Sequence, residues 1–108
     1  MPVNLLTADQ FDQALESHEL ILIDFSAEWC GPCKNFAKVM EMISAEYPDC
    51  FFATVDVDKE KSLAAEFAVQ SVPSILIIRH RRIIFAESGA LSATELRKLL
   101  DDAKVLQT

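Results

Sequence analysis

Two cysteines at the spacing of a small disulfide are the residues of this 108-residue chain best suited to chemistry. Cys30 and Cys33 enclose Gly31 and Pro32, at the point where an apolar run gives way to a helical pattern. The first N–H groups of a helix are unpaired and carry partial positive charge, so a thiolate placed there is stabilised and its pKa falls. Cys33 lies one turn further on and points the same way. The two sulfurs can therefore close a disulfide.

This arrangement supports a two-step exchange of disulfide bonds. Cys30 attacks a substrate disulfide, and Cys33, which we expect to be the more buried sulfur, then attacks Cys30 and releases the reduced substrate. One alternative is half of a zinc site, but zinc normally takes four ligands. The remaining soft candidates have no ligand-like spacing to the pair: Cys50, His18 and His80. The other alternative is a pair of incidental core cysteines. The pattern favours the redox pair and predicts no metal site.

Alternating strand and helix patterns must position the cysteine pair. Strands are predicted near residues 3–5, 20–25, 51–57, 74–78 and 83–85. Capping signals predict helices that begin after Thr7, near Pro32, after Asp58 and after Ser92. Strand–helix–strand units give parallel pairs, and the late hairpin adds antiparallel strands. The sequence therefore predicts a single α/β domain over residues 1–108, with five strands and helices on both faces of the sheet.

Composition and charge exclude several classes of protein. An apolar fraction of 51% with 25% charged residues indicates a folded domain, not a disordered chain. The formal net charge of -7 argues against general binding to nucleic acid or to anionic membranes, and the only basic cluster is residues 79–82. No signal peptide or membrane span is recognisable. Three cysteines do not make a disulfide-stapled secreted scaffold, so we expect a reducing compartment and a cytoplasmic location.

The segment from Asp24 to Lys34, with its WCGPC sequence, resembles the active-site segment of the thioredoxin family. Val72-Pro73 is similar to the family's cis-proline loop, and Gly89 to its last turn before the final helix. The resemblance covers nearly the whole chain. It implies a thioredoxin fold, a central mixed five-stranded sheet flanked by four helices. It also implies a protein-disulfide reductase without bound cofactor, whose Cys30–Cys33 disulfide is re-reduced by thioredoxin reductase at the expense of NADPH. Nothing in the sequence demands more than a monomer.

Asp24 is the further catalytic candidate. It stands in an apolar run, and burial without a partner raises a carboxyl pKa towards neutrality. By resemblance it is the proton acceptor for Cys33; the alternative is a fully paired carboxylate at a strand end. Resemblance also implies that Pro73 is cis and that the backbone of Val72 binds the substrate chain.

Some of the remaining candidates form the active-site loop, and others lie elsewhere in the sequence. Trp29 is expected at the rim of the site, where it contacts partners, and the Gly31-Pro32 pair favours a reducing potential. Gly89 is expected to be required for its backbone conformation and not as a ligand, in a region that the family uses for docking. Lys34 is expected to be a solvated charge on a helix face. Cys50 is read as a buried small residue, with a regulatory thiol as the alternative.

Three positions depart from the family pattern, and none of them touches the two-cysteine chemistry. Many bacterial members have tryptophan where Ser26 stands and lysine where Thr54 stands, and the usual glycine of the late hairpin is replaced within residues 79–82. One alternative function is an interaction module that uses the basic hairpin. Another is a disulfide oxidant or isomerase, against which the Gly31-Pro32 pair argues.

Overall fold

The computed structural model describes residues 3–106, and the two residues at each end of the predicted domain lie outside that range. Five strands form one sheet in the order β1-β3-β2-β4-β5. Their bounds are β1 Val3–Leu5, β2 Leu20–Ser26, β3 Phe51–Asp56, β4 Ser74–Arg79 and β5 Arg82–Ser88. The pairs β1–β3 and β2–β3 are parallel, and β2–β4 and β4–β5 are antiparallel. The predicted mixed five-stranded sheet is confirmed.

Three helices connect strands and a fourth follows β5. Their bounds are α1 Ala8–Ser17, α2 Gly31–Ser44, α3 Lys61–Glu66 and α4 Ala93–Lys104. The predicted capping box of α4 is present, because Ser92 Oγ accepts from Glu95 N at 3.1 Å and Glu95 Oε1 accepts from Ser92 N at 3.0 Å. The predicted cap of α3 is wrong. This helix begins after Glu60, and Asp58 lies in the preceding turn, where its carboxylate has a different partner described below.

The sheet is covered on both faces, and successive residues of β2 supply the two cores. Leu22 packs with α2 and α4 residues on one face, whereas Ile23 packs with α1 and α3 residues on the other. This explains why β2 reads as a continuous apolar run. The sequence predicts Met40 and Met42 as ordinary core residues from their type. Met40 lies in the first core, but the prediction is wrong for Met42, which is 49% exposed on the outer face of α2. Within residues 3–106, no helix is long and apolar enough to cross a membrane.

A two-residue turn joins β4 to β5 without the glycine that such a turn favours. His80 and Arg81 both have left-handed backbone conformations, with φ of 50° and 67°. A tight hairpin needs positive φ at both central positions to match the twist of its strands. The His80 N–H also donates to Glu19 O at 2.8 Å, which ties the turn to the start of β2. The hairpin therefore keeps its two-residue turn despite the substitution of glycine.

Ala68, two residues after the end of α3, gives a test of backbone strain. Ala68 has φ of 53°, and its N–H and that of Val69 bond back to Ala65 O and Ala64 O at 3.0 and 2.9 Å. This is the helix-ending motif that glycine favours. We expect Ala68→Gly to raise the free energy of unfolding by about 0.5–1 kcal/mol, because glycine adopts this conformation without a Cβ clash.

Urea unfolding of the oxidised protein measures this effect. Ala65→Gly, in the exposed part of α3, is the matched control and should lower the free energy of unfolding by about 1 kcal/mol. Equal destabilisation by the two substitutions would contradict the account of strain at Ala68.

Candidate active site

The cysteine pair lies at the junction between β2 and α2. Cys30 is the N-cap of α2, and Cys33 follows in the first turn, at a Cα–Cα distance of 5.3 Å. The two form a disulfide, and Cys33 N–H donates to Cys30 Sγ at 3.2 Å. In the reduced protein the same N–H group and the helix N-terminus would stabilise a Cys30 thiolate. The predicted position at a strand–helix junction is confirmed.

Both sulfur-bearing residues are well covered. Cys33 is the deeper one at 1% exposure, but Cys30 is only 4% exposed. The two pack with Ala27 and with the side chains of Val57 and Val72. Cys30 Sγ lies 3.7 Å from Val72 O. Cys30 therefore borders the loop that carries Val72.

The loop around Val72 and Pro73 meets the turn before α4. The Val72-Pro73 peptide bond is cis, as the resemblance implied. Gly89 N–H donates to Pro73 O at 2.8 Å, and Gly89 has φ of 106°, a conformation that glycine adopts without strain. The structure thus places Val72 against Cys30 and Gly89 against Pro73, although these three segments are distant in sequence.

Trp29 stands at the rim of the site with 71% of its surface exposed. Its indole N–H donates to Asp58 Oδ2 at 2.8 Å. Asp58 is held in turn, because its N–H donates to Asp56 Oδ1 at 2.9 Å. Sequence reasoning missed this role of Asp58 by treating it as a helix cap, although an Asp-x-Asp segment after a strand is also a signal for a side-chain-stabilised turn. The turn fixes the orientation of an exposed aromatic side chain.

Asp24 is buried in β2 without compensation for its carboxylate. It is 2% exposed, and its Oδ1 has no hydrogen-bond partner among residues 3–106. Thr54, opposite Asp24 in the register, donates to the main-chain oxygen of Asp24 at 3.1 Å and not to the carboxylate. Burial raises the pKa of Asp24 from 3.8 to about 7. The alternative of a fully paired carboxylate is therefore wrong.

An open cavity of about 310 Å³ lies beside Cys33. Cys33, Ser26 and Thr54 are among its lining residues. Ser26 is two residues from Asp24 in β2, and Thr54 is its register partner, so these side chains share one face of the sheet. Lys59 and Glu28 also line the cavity and form an exposed ion pair at 3.6 Å. The cavity gives water access to the face of the sheet that carries Asp24.

The other predicted residues of the loop lie outside the buried pair. Gly31, Pro32 and Lys34 are exposed at the start of α2, and Lys34 lines the open cavity. Within the described part of the chain, no group of three or more His, Cys, Asp or Glu side chains has a geometry that could hold a metal ion.

Cys50 is separate from the redox pair. It is 8% exposed next to β3, and burial raises the pKa of its thiol to about 12. A thiol with a high pKa carries little thiolate at neutral pH and is therefore a poor nucleophile.

We expect Cys50→Ala to leave the rate of disulfide reduction within about twofold of the parent. Turbidity from insulin reduction measures the rate, and thermal unfolding checks that the variant is folded. Loss of activity in a stable Cys50→Ala protein would make this thiol part of the mechanism.

Comparison with known proteins places these features in a family. The protein-family model described as Thioredoxin matches residues 2–102. The chain is 41% identical over 101 residues to a putative thioredoxin 2 of Streptomyces coelicolor, which covers 94% of this chain and 75% of the relative. It is 34% identical to thioredoxin-1 of Saccharomyces cerevisiae, over 83% of this chain and 87% of the relative.

Solved structures agree with the sequence comparison. The structure of Fasciola hepatica thioredoxin is 35% identical, with a TM-score of 0.85 over 93% of this chain and 98% of that chain. A mutant thioredoxin from Halobacterium salinarum is 25% identical, with a TM-score of 0.89 over 98% of this chain and 94% of that chain.

Proposed function

The chain belongs to the thioredoxin family of dithiol-disulfide oxidoreductases, and on this premise we propose that it reduces disulfides in client proteins through Cys30 and Cys33. The observation that carries the proposal is the hydrogen bond from Cys33 N–H to Cys30 Sγ at the start of α2. A donor fixed on the sulfur stabilises the negative charge that develops on the attacking or leaving thiolate. Cys30 is therefore assigned as the nucleophile and Cys33 as the resolving thiol.

The exchange moves two electrons to the client. The Cys30 thiolate attacks one client sulfur, the client disulfide breaks, and the other client sulfur leaves as a thiolate. Cys33 gives its proton to Asp24, whose pKa of about 7 suits a proton acceptor at neutral pH. The Cys33 sulfur then attacks Cys30 and expels the second client thiolate. The proton held by Asp24 and one proton from solvent protonate the two client thiolates, so the client gains two thiols and the Cys30–Cys33 disulfide is formed.

Client binding is assigned to the groups that surround Cys30. Val72 would offer its backbone to an extended client segment, with Pro73 and Gly89 completing the same surface. Trp29 would provide an apolar face, because its orientation is fixed by Asp58 and most of its surface is free. Aromatic side chains with a polar anchor are well suited to such contacts.

The disulfide must be reduced again before another turnover. We assign that step to thioredoxin reductase, which would pass on electrons from NADPH, so that this chain needs no bound cofactor of its own. The location that fits this cycle is the cytoplasm, where thiols are kept reduced. A monomer suffices, since both sulfurs and the proton acceptor belong to one chain.

The position of the basic hairpin in the sheet does not favour a separate function for it. β4 begins at Ser74 beside Pro73 and ends at Arg79, so the turn at His80 and Arg81 lies at the end of the sheet opposite the cysteine pair. An interaction module built on this hairpin would not need the redox pair. An oxidant or isomerase would use the pair but hold a less reducing potential, which equilibration against glutathione measures.

The test of the proposal is a coupled assay with NADPH, thioredoxin reductase and insulin. We expect NADPH consumption that depends on both this protein and insulin, and insulin reduction when dithiothreitol replaces the reductase. If the protein reduces insulin with dithiothreitol but not with NADPH and thioredoxin reductase, only the assignment of the reductase as partner would be overturned. Absence of insulin reduction under both conditions, in folded protein with two free thiols at Cys30 and Cys33, would overturn the proposed function.

A further inference from the structure

The outer edge of β5 is the longer of the two free edges of the sheet. β5 has seven residues and is the last strand on one side, whereas β1 on the other side has three. Among residues 3–106, β5 is hydrogen-bonded to β4 alone, and no other hydrogen bond reaches residues 82–88. The strand contains neither proline nor lysine, two residues that commonly block such an edge. Its outward N–H and C=O groups are therefore available to another strand.

A β-bulge brings two opposite charges of β5 to the same face of the sheet. Ile84 is the extra residue of the bulge, because it has no partner in β4. Arg82 and Glu87 pair with Arg79 and Ile75, which are four residues apart in β4 and so lie on one face. Arg82 and Glu87 are both exposed, and neither makes an ion pair with any side chain of residues 3–106.

These charges make the edge of β5 complementary to itself. A second copy of the strand can continue the sheet in the antiparallel direction, with a two-fold axis between residues 84 and 85. Arg82 of each copy then stands opposite Glu87 of the other copy, and both side chains are on the same face. On the other face, Ile83, which is 54% exposed, stands opposite the exposed Ala86. Opposite charges and apolar side chains placed in this way stabilise antiparallel pairs.

We propose that the β5 edges of two copies pair in this register and form a two-fold dimer. The two sheets become one, held by main-chain hydrogen bonds and by an Arg82–Glu87 ion pair on each side of the axis. The net charge of -7 repels the copies, but at physiological salt this repulsion is screened beyond about 8 Å. A contact between two strands is small for a protein interface, so the dimer is weak and forms at high protein concentration.

The pairing also gives the strained basic turn a place at the client surface. Within one copy, the turn at His80 and Arg81 is at the end of the sheet opposite the cysteine pair. Because the strands run antiparallel, the register places Arg81 of one copy beside Ser88 of the other, and His80 beside Gly89. Gly89 belongs to the surface assigned to client binding, so each copy borders the client surface of the other with a basic turn. This placement rests on the proposed function, whereas the pairing of the edges does not.

Sedimentation of the oxidised protein over a concentration series tests the pairing. Arg82→Glu and Glu87→Arg each place like charges opposite one another on both sides of the axis, so each should weaken association at least about tenfold. The double variant that carries both substitutions restores the two ion pairs and should associate like the parent. Glu41→Arg is the matched control, because it makes the same change of charge at an exposed site on α2 and should leave association unchanged.

The outcomes separate this dimer from other states. A protein that stays monomeric at every concentration would overturn the proposal. So would a dimer that both single charge reversals leave intact, or a double variant that associates no better than the single ones. Thermal unfolding of each variant shows that a loss of association is not a loss of fold.

Single-turnover reduction of two matched peptides tests the position of the turn. The peptides carry one disulfide and differ only in glutamate or glutamine beside it. We expect the dimer to reduce the glutamate peptide about two- to threefold faster than the monomer does, with no such gain for the glutamine peptide. Arg81→Gln should remove the gain and keep the dimer. Equal behaviour of the two peptides would overturn the placement of the turn, and failure to reduce either peptide would overturn the proposed function while sedimentation still decides the pairing.

Discussion

Cys33→Ser is expected to convert the protein into a trap for its clients. The Cys30 thiolate can still attack, since the helix N-terminus and the residue-33 N–H group remain. Resolution is lost, because a serine hydroxyl does not attack a disulfide, so mixed disulfides between Cys30 and client should accumulate. Cys30→Ser should instead abolish both client capture and turnover, with loss of at least about 1000-fold in rate. Non-reducing gels with mass spectrometry of the linked peptides measure the captured species.

The control for this experiment is each substitution made in a Cys50→Ala background. Because Cys50 is buried and its thiol pKa is raised, the same two outcomes are expected there. Normal turnover by Cys33→Ser would show that an external thiol resolves the intermediate and would remove Cys33 from the mechanism. Capture through Cys50 in a Cys30→Ser protein would reassign the nucleophile.

Asp24→Asn is expected to stabilise the oxidised protein at neutral pH although the residue lies in the core. The pKa of Asp24 is raised to about 7 in the folded state from 3.8, so the folded state prefers the neutral acid. The stabilising preference is fully present below pH 3.8 and is lost as the pH rises through about 7, because only the unfolded chain ionises in between. At pH 8 the variant should be more stable by on the order of 1–3 kcal/mol.

Urea unfolding between pH 4 and pH 8 measures this difference. The parent should lose stability across that window relative to Asp24→Asn, and Asp24→Ala should show the same trend with an added packing cost. Asp12→Asn, on the exposed side of α1, is the matched control and should change the free energy of unfolding by less than about 0.5 kcal/mol. Equal or lower stability of Asp24→Asn at pH 8 would show that the carboxylate is compensated in the folded protein.

The same substitution should change the pH dependence of client reduction. Without Asp24, the Cys33 thiol has no internal acceptor for its proton, so resolution should slow most at pH 6–7, by about 10- to 100-fold. The rate should recover in part near pH 9, where the thiol ionises unaided. An unchanged pH–rate profile would reduce Asp24 to a destabilising core residue without a part in the exchange.

The sequence predicted the central fold because its signals were strong and local. The apolar run in β2 and the reciprocal cap of Ser92 and Glu95 each depend on a few neighbouring residues. Predictions failed where the local sequence allowed two different placements of a residue. Asp58 fits a helix cap equally well, and only the position of Trp29 across the turn decides its partner. Met42 has the right type for a core, but its place on the outer face of α2 exposes it.

The candidate site was predictable in its residues but not in its packing. The pair of cysteines, the apolar setting of Asp24 and the Val-Pro step were all visible in the chain. The contact of Cys30 Sγ with Val72 O was not, because it joins segments 42 residues apart in sequence. Such contacts arise from the sheet order, which places β4 next to β2 and thereby brings the cis-proline loop to the start of α2.

The most direct test of the account is a single turnover without any other reductant. Reduced protein is mixed with one equivalent of a disulfide-linked client, quenched with an alkylating reagent, and analysed by mass spectrometry. We predict that two alkylatable thiols appear on the client while Cys30 and Cys33 become linked to each other, and that Cys50 stays reduced and is alkylated after denaturation. A client that gains thiols while Cys30 and Cys33 remain alkylatable, or a disulfide that includes Cys50, would contradict the account.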